Sequence, residues 1–586
     1  MTKLFIDVEC CRNYFLIAAL DDATGNVYLF DAMDDNPISH KNDLRRFMND
    51  YMTIGFNSLS YDLPLIKSAL AGHTTRQLYL QSCDIISAGK PSYSNDASDW
   101  DHVDLIQVAP GQSGLKVYGG RLHAEKLQDL PIEPDAVITP ERADETKHYC
   151  VNDLRLTQRL YRSLEKAIDL RSAMSKQYGM GLRSKADAQI AEAVIRSELE
   201  KKTGRKYRKP DKVNTEFKYN DPKLFEFHTD ELKTLFGIIL DEPFEVNGST
   251  GNLQLPETLK KRITKIADKG YKVGIGGLHS MEKKQCVRSD DEYAVIDMDV
   301  ASYYPSIILQ QRLAPKSLGE PFLAVYESIV SRRLLAKNTG NKVEADSLKI
   351  VINASFGKMG SKYSFMYSPD LMLQVTITGQ LALLMLIERM VAVDIEVMSA
   401  NTDGIVVKCR RDKLDVLDEV AWDWQMDTAY LLERTPYRLI ASRDVNNYFA
   451  ITESGKVKGK GLFADDSLMK NPDQQIIPDA VKAYALTGTP IDETITSCTD
   501  IRKFLTLRSV TGGALWHDEL VGKVTRFYGS NDFQNAAPLR YKNNGNKVPK
   551  SEGSMLCMNL PDQLPSDIDY PRYIEAANKL KAEVGL

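Results

Sequence analysis

The sequence predicts an α/β protein of several domains, and three observations carry that expectation. The chain has 586 residues, more than one hydrophobic core ordinarily organises. Its start is rich in β-branched and aromatic residues at strand spacing and then passes into a long stretch of helical periodicity. Strand character returns near residue 292, and helices and strands alternate again after it.

The elements follow in order. "LFIDVE", "YFLIAAL" and "NVYLF" read as strands, with "DDATGN" turning between the last two. Helical patterns run from about 143 to 200, including "DLRLTQRLYRSLEKAIDL". Residues 205–265 are polar and irregular, a connector. Residues 292–309 read as strand, and 321–358 as two helices joined by "KNTGNK". A pair of strands surrounds residue 402. Beyond about residue 465 the pattern weakens, and Gly, Asn and Pro accumulate in 529–553.

Composition narrows the class. Hydrophobic residues make up 43% and charged residues 26%, as in an ordinary soluble protein. No apolar run is expected to reach the length of a membrane span. "MTKLFIDVEC" lacks the charged and apolar regions of a signal peptide, so the expected location is the cytoplasm, that of the host cell if the protein is viral. Eight cysteines contain no C-x-x-C pair, which argues against a zinc or iron–sulfur site. The net charge is −5, yet "KKTGRKYRKPDK" (201–212), "KKRITKIADKGYK" (260–272) and "KVKGK" (456–460) are basic. Such runs are usually solvated surface; three of them in an acidic protein point to a polyanion held in a groove.

"FIDVEC" places Asp7 and Glu9 two residues apart on a strand, hence on one face. Paired acids repel unless a cation lies between them. Asp62 follows a strand-like segment in "GFNSLSYDLPLI", and "YCVNDLRLT" sets Tyr149 and Asp153 one helical turn apart. Taken singly, Asp62 reads as a helix N-cap and Asp153 as a solvated helix residue. As an ordered set, four acids with a tyrosine can hold two divalent ions and orient a water for phosphodiester hydrolysis.

In this arrangement the chain resembles the 3′–5′ exonuclease domain of family B DNA polymerases. That family's D-x-E, N-x-x-x-(F/Y)-D and Y-x-x-x-D motifs are matched by Asp7/Glu9, Asn57/Tyr61/Asp62 and Tyr149/Asp153. The resemblance implies an RNase H-like fold, metal binding by the four acids, and a water positioned by Tyr149. It implies contacts from Asn57 and Tyr61 to an unpaired primer end, and a lysine near the scissile phosphate, for which Lys116 is the candidate.

A second set begins in "VIDMDVASYYPSIIL" (295–309). Asp297 and Asp299 share a strand face, and periodicity does not choose between them. The family motif D-x-x-S-L-Y-P-S-I does: Asp299, Ser302, Tyr304, Pro305, Ser306 and Ile307 match, with Tyr303 in place of Leu. Asp297 falls outside it and is expected to be structural. By resemblance Asp299 binds both catalytic metals, Val300 joins the metal set, and Tyr304 lies under the incoming sugar, where it would clash with a 2′-hydroxyl. Main-chain amides after Asp299 would cradle the triphosphate, so Ser302 and Tyr303 are counted with the nucleotide contacts.

In "KIVINASFGK", Lys349, Asn353 and Gly357 recur every four residues on one helical face, with Ile350, Ile352 and Phe356 opposite. The family motif K-x-x-x-N-S-x-Y-G matches there, with Ala354 for Ser and Phe356 for Tyr. Arg333 and Lys337 stand one turn apart on the preceding helix, with Arg332 as the competing choice. Three cations converging on a triphosphate suit phosphoryl transfer.

"SANTDGIVV" falls where the family has Y-G-D-T-D-S. Thr402 and Asp403 match, Asn401 replaces the first acid and Gly404 the serine. "NNYFAITESGKVKGKG" resembles the K-x-Y segment that grips the primer terminus: Tyr448 matches, Asn446 replaces the lysine, and Lys456, Lys458 and Lys460 are expected phosphate contacts. "GYKVGIGGLHS" resembles the Y-x-G-G linker, in which Gly276 and Gly277 would let the main chain approach the template. "GKVTRFYG" (522–529) hints at a thumb. "HDE" (517–519) is similar to a family A motif, but its surroundings do not fit, and it reads as chance.

The resemblance therefore implies a right-hand polymerase with an attached exonuclease: 1–165 exonuclease, 166–270 connector, 271–313 first part of the palm, 314–354 fingers, 355–464 second part of the palm, and 465–586 thumb and C-terminal region. The metal set is Asp299, Val300 and Asp403 in one site and Asp7, Glu9, Asp62 and Asp153 in the other. Two Mg²⁺ are expected per site, with Mn²⁺ able to substitute. The exonuclease motif starts at residue 7, so no extra N-terminal domain is expected. The intervals Asp299–Lys349 (50 positions) and Gly357–Asp403 (46) are short and leave little room for the insertions of protein-primed phage relatives. A bacteriophage enzyme extending nucleic-acid primers is the expected function. Its partners would be primer–template DNA and deoxynucleoside triphosphates, then a phage helicase, primase or single-strand binding protein; a monomer with no membrane contact is expected. Asn401 motivates the rival reading, a palm fold with silenced synthesis serving as an exonuclease or DNA-binding factor. An RNA-templated or primase-like enzyme is a third.

Overall fold

The strand that carries Asp7 and Glu9, Lys3–Cys11, is the middle strand of a five-stranded sheet ordered Val27–Met33, Tyr14–Asp21, Lys3–Cys11, Met52–Gly55, His102–Asp104. This is seen in a computed structural model that describes residues 2–88, 100–130, 132, 135–211 and 213–586; Lys212 of the first basic run lies outside them. The first three strands are antiparallel, and Lys3–Cys11, Met52–Gly55 and His102–Asp104 run parallel. Tyr14–Asp21 is buried throughout, which accounts for an apolar run in place of alternation.

Period-two alternation splits Lys3–Cys11 between two cores. Leu4, Ile6 and Val8 pack with the helices Lys41–Asp50, Asp62–Ala71 and Thr75–Ala88. Phe5 and Cys11 face the helix Pro140–Tyr178, and Asp7 and Glu9 share their side of the strand. That helix has Pro140 in its first turn and stops at Gly179, whose φ is 64°; this is the usual asymmetry of helix ends.

The chain divides into two units. The first comprises Met1–Ala186, Asp466–Ile476 and Thr496–Tyr573; the second Asp187–Asp465, Ile477–Ile495 and Ile574–Leu586. Residues 465–586, expected as one region, are thus shared between the units. The reason lies in packing within the first unit. There a four-stranded sheet, ordered Arg540–Tyr541, Thr506–Trp516, Glu519–Gly529, Ser554–Leu556, is fastened by buried Arg526. Its guanidinium donates to the carbonyls of Cys557 (2.7 Å), Ala124 (2.7 Å) and Met558 (3.1 Å). "GKVTRFYG" is part of this sheet. "HDE" is its hairpin turn: His517 and Asp518 have φ of 49° and 64°, as a two-residue type I′ connection requires.

The second unit is built on a ten-stranded sheet. Its central strand, Tyr293–Val300, lies between Leu432–Asp444 and Gly404–Arg410, antiparallel to both. Beyond Gly404–Arg410 come Glu396–Asn401, His279–Met281, Lys269–Lys272 and Thr264–Ile266; beyond Leu432–Asp444 come Asn447–Thr452 and Val457–Lys460, and Gln285–Arg288 pairs with Leu432–Asp444 off this path. The expected strand over 292–309 ends at Val300, and Tyr303–Gln310 is a helix with Pro305 in its first turn, where a missing N–H costs nothing. The two helices expected over 321–358 are Glu320–Asn338 and Lys342–Met359. Asn341 caps the second: its side chain accepts from the Glu344 N–H, and its amide donates back to the Glu344 carboxylate. The connector is more ordered than its composition suggests and contains the helix Asp230–Asp241.

Against the expectation, one helix, Pro369–Ala392, is long and apolar enough to cross a membrane by length and composition, and 89% of its apolar window is buried inside the protein. Its buried polar residues show its role. Gln380 exchanges two hydrogen bonds with the main chain of Gly274 (2.8 and 2.7 Å). Glu388 accepts from the N–H groups of His228 (3.0 Å) and Thr229 (2.7 Å). The helix is a core column that ties down the connector and the loop before Gly276.

Candidate active sites

The first unit brings Asp7, Glu9, Asp62, Tyr149, Asp153 and Lys116 into one cluster. Ligand atoms of Asp7, Glu9 and Cys150 all lie within 4.8 Å of one another, and the Cys150 thiol donates to Asp7 (3.3 Å). Lys116 is bonded to Asp153, and its ammonium lies 4.2 Å from the centre of the Tyr149 ring. Burial is the largest cause of raised carboxyl pKa values here. Asp7 is pushed up to about 7 by burial and by the Asp153 charge. Glu9 is held well above the carboxylate range by burial, Asp7 and Asp153, Asp62 by burial, Asp7 and Asp104, and Asp153 is raised by burial despite Lys116. Carboxylates that resist ionisation in one another's company are a donor set suited to a hard divalent cation.

Asp62 opens the helix Asp62–Ala71 and is 4% exposed, so it is neither a solvent-facing cap nor surface. The turn before it is held by residues that the motif reading missed. The Asp104 carboxylate accepts from the N–H groups of Asn57 (2.8 Å) and Leu59 (3.0 Å), keeping Asn57 at φ 61°. Asn57 is exposed, whereas the Tyr61 hydroxyl is bonded to Ser82 (2.7 Å). A cavity of about 770 Å³ opens beside Lys116 and Tyr149, with Lys126, Lys523, Lys542 and the Gly512–Gly513 main chain in its walls. Lys126 and Lys542 lie in segments without motif spacing, and Lys523 lies in "GKVTRFYG", read from sequence only as a hint of a thumb.

The second unit holds the other carboxylates. Asp299, near the end of the central strand, pairs with Gly404, and the Val300 N–H donates to the Asp403 carbonyl (2.8 Å). The two acids therefore meet at the ends of adjacent strands, in a cleft of about 460 Å³ that also takes in Asp297, Asn401, Tyr448, Lys458 and Lys460. Asp299 is pushed up to about 6 by partial withdrawal from water and by the charges of Asp297 and Asp403; Asp403 is raised by the same withdrawal. The pair suits a divalent cation for the same reason as the first cluster.

Asp297 is bonded to the Tyr437 hydroxyl, with Lys458 at 3.7 Å. It is anchored in the wall of the cleft, in keeping with a structural role, and adds negative charge there. Lys456 sits in the turn before Val457–Lys460 and is not in the cleft wall. The Val300 side chain is 4% exposed, so any metal contact from it would come from its main chain.

The hairpin Glu396–Asn401/Gly404–Arg410 turns through Thr402 (φ 60°) and Asp403. Asn401 donates from Nδ2 to the Val445 carbonyl (3.0 Å), and its carbonyl accepts from the Asp403 N–H (2.7 Å). Gly277 is a packing residue of this turn and not a surface for a strand. Its φ is 155°, it is buried, and a Cβ there would meet Thr402 at 2.9 Å. Gly276 is exposed, and its carbonyl accepts from the Tyr304 hydroxyl (2.8 Å).

Tyr304 is fixed further by the Phe356 ring at 4.6 Å. Tyr303, grouped with the nucleotide contacts from sequence, is a core residue: it is 4% exposed and its hydroxyl donates to the Gly379 carbonyl. Consecutive positions at a helix start point in different directions, which motif matching does not weigh. Ser302 (φ 49°) accepts from Arg333 (3.2 Å). Arg332 is paired with Glu344 (3.2 Å), which leaves Arg333 as the cation nearer the acids' strand. Lys337, on Glu320–Asn338, and Lys349, Asn353 and Gly357, on Lys342–Met359, are exposed; the buried stripe of the latter helix is Ser347, Leu348, Val351, Ile352, Ser355 and Met359, shifted from the expected Ile350, Ile352 and Phe356.

No family model matches the chain. In sequence the chain is similar to DNA polymerase 1 of Aeropyrum pernix, with 25% identity over 237 residues, or 34% of this chain and 24% of that protein. Among solved structures, the family B DNA polymerase from the hyperthermophilic archaeon Pyrobaculum calidifontis aligns with 100% of this chain and 78% of its own, at 14% identity and a TM-score of 0.45.

Proposed function

We propose that this protein is a template-directed DNA polymerase of the family B type with a 3′–5′ proofreading exonuclease, and that it copies bacteriophage DNA. The observation that carries the synthetic activity is the meeting of Asp299 and Asp403 at the ends of paired strands, in a cleft that also holds Lys458 and Lys460. The sequence similarity to an archaeal DNA polymerase supports the same reading.

Asp299 and Asp403 would hold divalent cations, Mg²⁺ or Mn²⁺, as would Asp7, Glu9, Asp62 and Asp153 in the other unit. Bound there, such ions lend positive charge to phosphoryl transfer. The protein's own groups do the rest. Arg333, Lys337 and Lys349 neutralise the triphosphate, and Lys458 and Lys460 hold phosphates of the product strand. Tyr304, fixed by Gly276 and Phe356, occupies the space of a 2′-hydroxyl. The primer 3′-oxygen attacks the α-phosphorus, and pyrophosphate leaves. In the first unit, Tyr149 and Lys116 orient the attack of water on a terminal phosphodiester. The lysine-lined cavity beside them suits the end of a polyanionic strand.

The test separates the two activities. Asp7→Ala with Glu9→Ala is expected to abolish 3′–5′ degradation and leave primer extension within a few-fold; Asp299→Ala should do the opposite. Each acid set sits in its own unit, so joint loss of both activities in a folded Asp7/Glu9 variant contradicts the assignment. Extension on DNA and RNA templates with each nucleotide type separates this reading from the primase-like one.

A further inference from the structure

The second unit has another cleft, of about 520 Å³, that neither carboxylate cluster uses. Its walls include Ile275, Gly251, Gly357 and Gly360, and Tyr363 stands beside them. Tyr363 is 77% exposed. Single exposed apolar residues need no explanation, but this ring has company. The ammonium of Lys362 lies 5.4 Å and that of Lys209 5.9 Å from its centre. Lys209 belongs to the basic run 201–212, in which Lys201, Lys202, Arg205, Lys206 and Arg208 are also exposed. Among the described residues, Arg205, Lys206, Arg208 and Lys209 have no carboxylate partner.

The platform is also held in place. Lys362 donates to the Ser249 carbonyl. The loop that carries Ser249 is fastened by Asn247, whose side chain accepts from the N–H groups of Ser249 and Thr250 (3.0 Å each), and by the Tyr367 hydroxyl on the Gly251 carbonyl (2.7 Å). Gly251, with φ 78°, lets the Lys362 stem pass at a distance where a Cβ would meet it at 2.8 Å. The cleft is contiguous with the support of Tyr304: Ile275 precedes Gly276, which holds the Tyr304 hydroxyl, and Gly357 follows Phe356, which packs on its ring.

We propose that this cleft binds the unpaired template strand ahead of the copied base, with one base stacked on Tyr363 and phosphates on Lys209, Lys362 and the 201–209 run. An aromatic ring this exposed, with the ammonium groups of two flexible lysine side chains over it, suits a single strand, because only an unpaired base offers its face for stacking while its phosphates draw the lysines. The glycines leave room for a sugar–phosphate backbone to pass. The inference rests on the reading of Asp299 and Asp403 as the synthetic site.

The experiment measures affinity by fluorescence anisotropy, using the full chain with Asp7→Ala and Glu9→Ala so that the probe survives. The probes are one primer–template duplex, blunt or with a long 5′ template overhang. The overhang is expected to tighten binding about tenfold, Tyr363→Ala to remove most of that gain, and Tyr363→Phe to keep it. Lys209→Ala with Lys362→Ala should flatten the slope of log affinity against log salt by roughly 0.7 per lost phosphate contact. No overhang preference, or a preference unchanged in Tyr363→Ala, overturns the proposal, as does a site that prefers an acidic peptide to the overhang probe. Primer extension run in parallel keeps the two readings apart. Extension without a Tyr363-dependent preference overturns the strand site alone; the preference without extension keeps a single-strand site at Tyr363 but removes the synthetic reading and, with it, the template role.

Discussion

Gly404 lies directly across the sheet from Asp299, and a Cβ at residue 404 would overlap the Asp299 carboxylate and press on the Met298 carbonyl at 2.9 Å. The absence of a side chain here is therefore a condition for the carboxylate's position in this chain. Gly404→Ala is expected to cost about 1–3 kcal/mol of stability by overpacking and to lower primer extension about a hundredfold, the scale of an ångström-sized displacement of a reacting group. Degradation of single strands should be unchanged, since its acids lie in the other unit. Extension at the wild-type rate by a folded Gly404→Ala variant would show that the Asp299 position is not critical.

His102 gives a pH-dependent prediction. Its ring is bonded to the hydroxyls of Thr53 (2.8 Å) and Ser58 (2.7 Å), and burial, with Arg183 nearby, lowers its pKa from 6.5 to about 3. Protonation is thus disfavoured in the folded protein and permitted in the unfolded one. The stability it contributes is fully present above about pH 6.5 and is lost as the pH falls from there toward 3. Between pH 7 and pH 5 the loss from this group is about 2 kcal/mol at 1.36 kcal/mol per unit. His102→Asn should be less stable than wild type at pH 7 but lose about 2 kcal/mol less on going to pH 5, as read from denaturant unfolding. An equal loss in both proteins would show that His102 does not carry this dependence.

Tyr304 is held on two sides, by the Gly276 carbonyl at 2.8 Å and the Phe356 ring at 4.6 Å. Tyr304→Ala is expected to raise ribonucleotide incorporation relative to the matched deoxynucleotide by about tenfold or more, the scale of a steric selection in a tight site. Tyr304→Phe keeps the ring and should keep the selection. Phe356→Ala removes the packing partner and should have an intermediate effect. Unchanged selection in Tyr304→Ala would move the gate to another residue, and buried Tyr303 is a poor candidate for it.

Part of the candidate sites was legible in the sequence because strand and helix periodicity are local: Asp7 with Glu9, and Tyr149 with Asp153, share a face by spacing, whereas the choice of Asp299 over Asp297 came from the resemblance and not from spacing. The two-helix element was legible for the same reason. What was hidden depends on contacts between distant segments. Arg526 draws the second sheet onto residues 124–125 of its unit through main-chain carbonyls, and no motif encodes that. Asp104 and His102 brace the Asn57 turn from a three-residue strand too short to show a period. The helix Pro369–Ala392 reads as apolar on every side because it is enclosed by protein, so its composition alone resembles that of a membrane span. Tyr303 and Tyr304 are neighbours in one motif, yet one points into the core and the other toward Gly276, a difference that only helix geometry reveals.

Asn401 decides between a working and a silent site. Its Nδ2 donates to the Val445 carbonyl (3.0 Å), its Oδ1 accepts from the Thr402 hydroxyl (3.2 Å), and its main-chain carbonyl accepts from the Asp403 N–H (2.7 Å). The side chain thus braces the turn that presents Asp403. An ionised aspartate has no proton to give Val445, so Asn401→Asp would set a carboxylate against a carbonyl and cost about 1–3 kcal/mol. The wild type is expected to extend primers, with Mn²⁺ supporting it better than is usual because one negative charge is missing. Asn401→Asp is expected to be less thermostable and to gain no more than a few-fold in extension at any Mg²⁺ level, whereas Asp403→Asn should be inactive. Titrating Mg²⁺ and Mn²⁺ against extension for the three proteins, with melting curves alongside, checks all of this. An inactive wild type restored by Asn401→Asp would mean that the synthetic site is silent and that the exonuclease or DNA-binding reading holds. Full activity in Asp403→Asn would remove this hairpin from the site altogether.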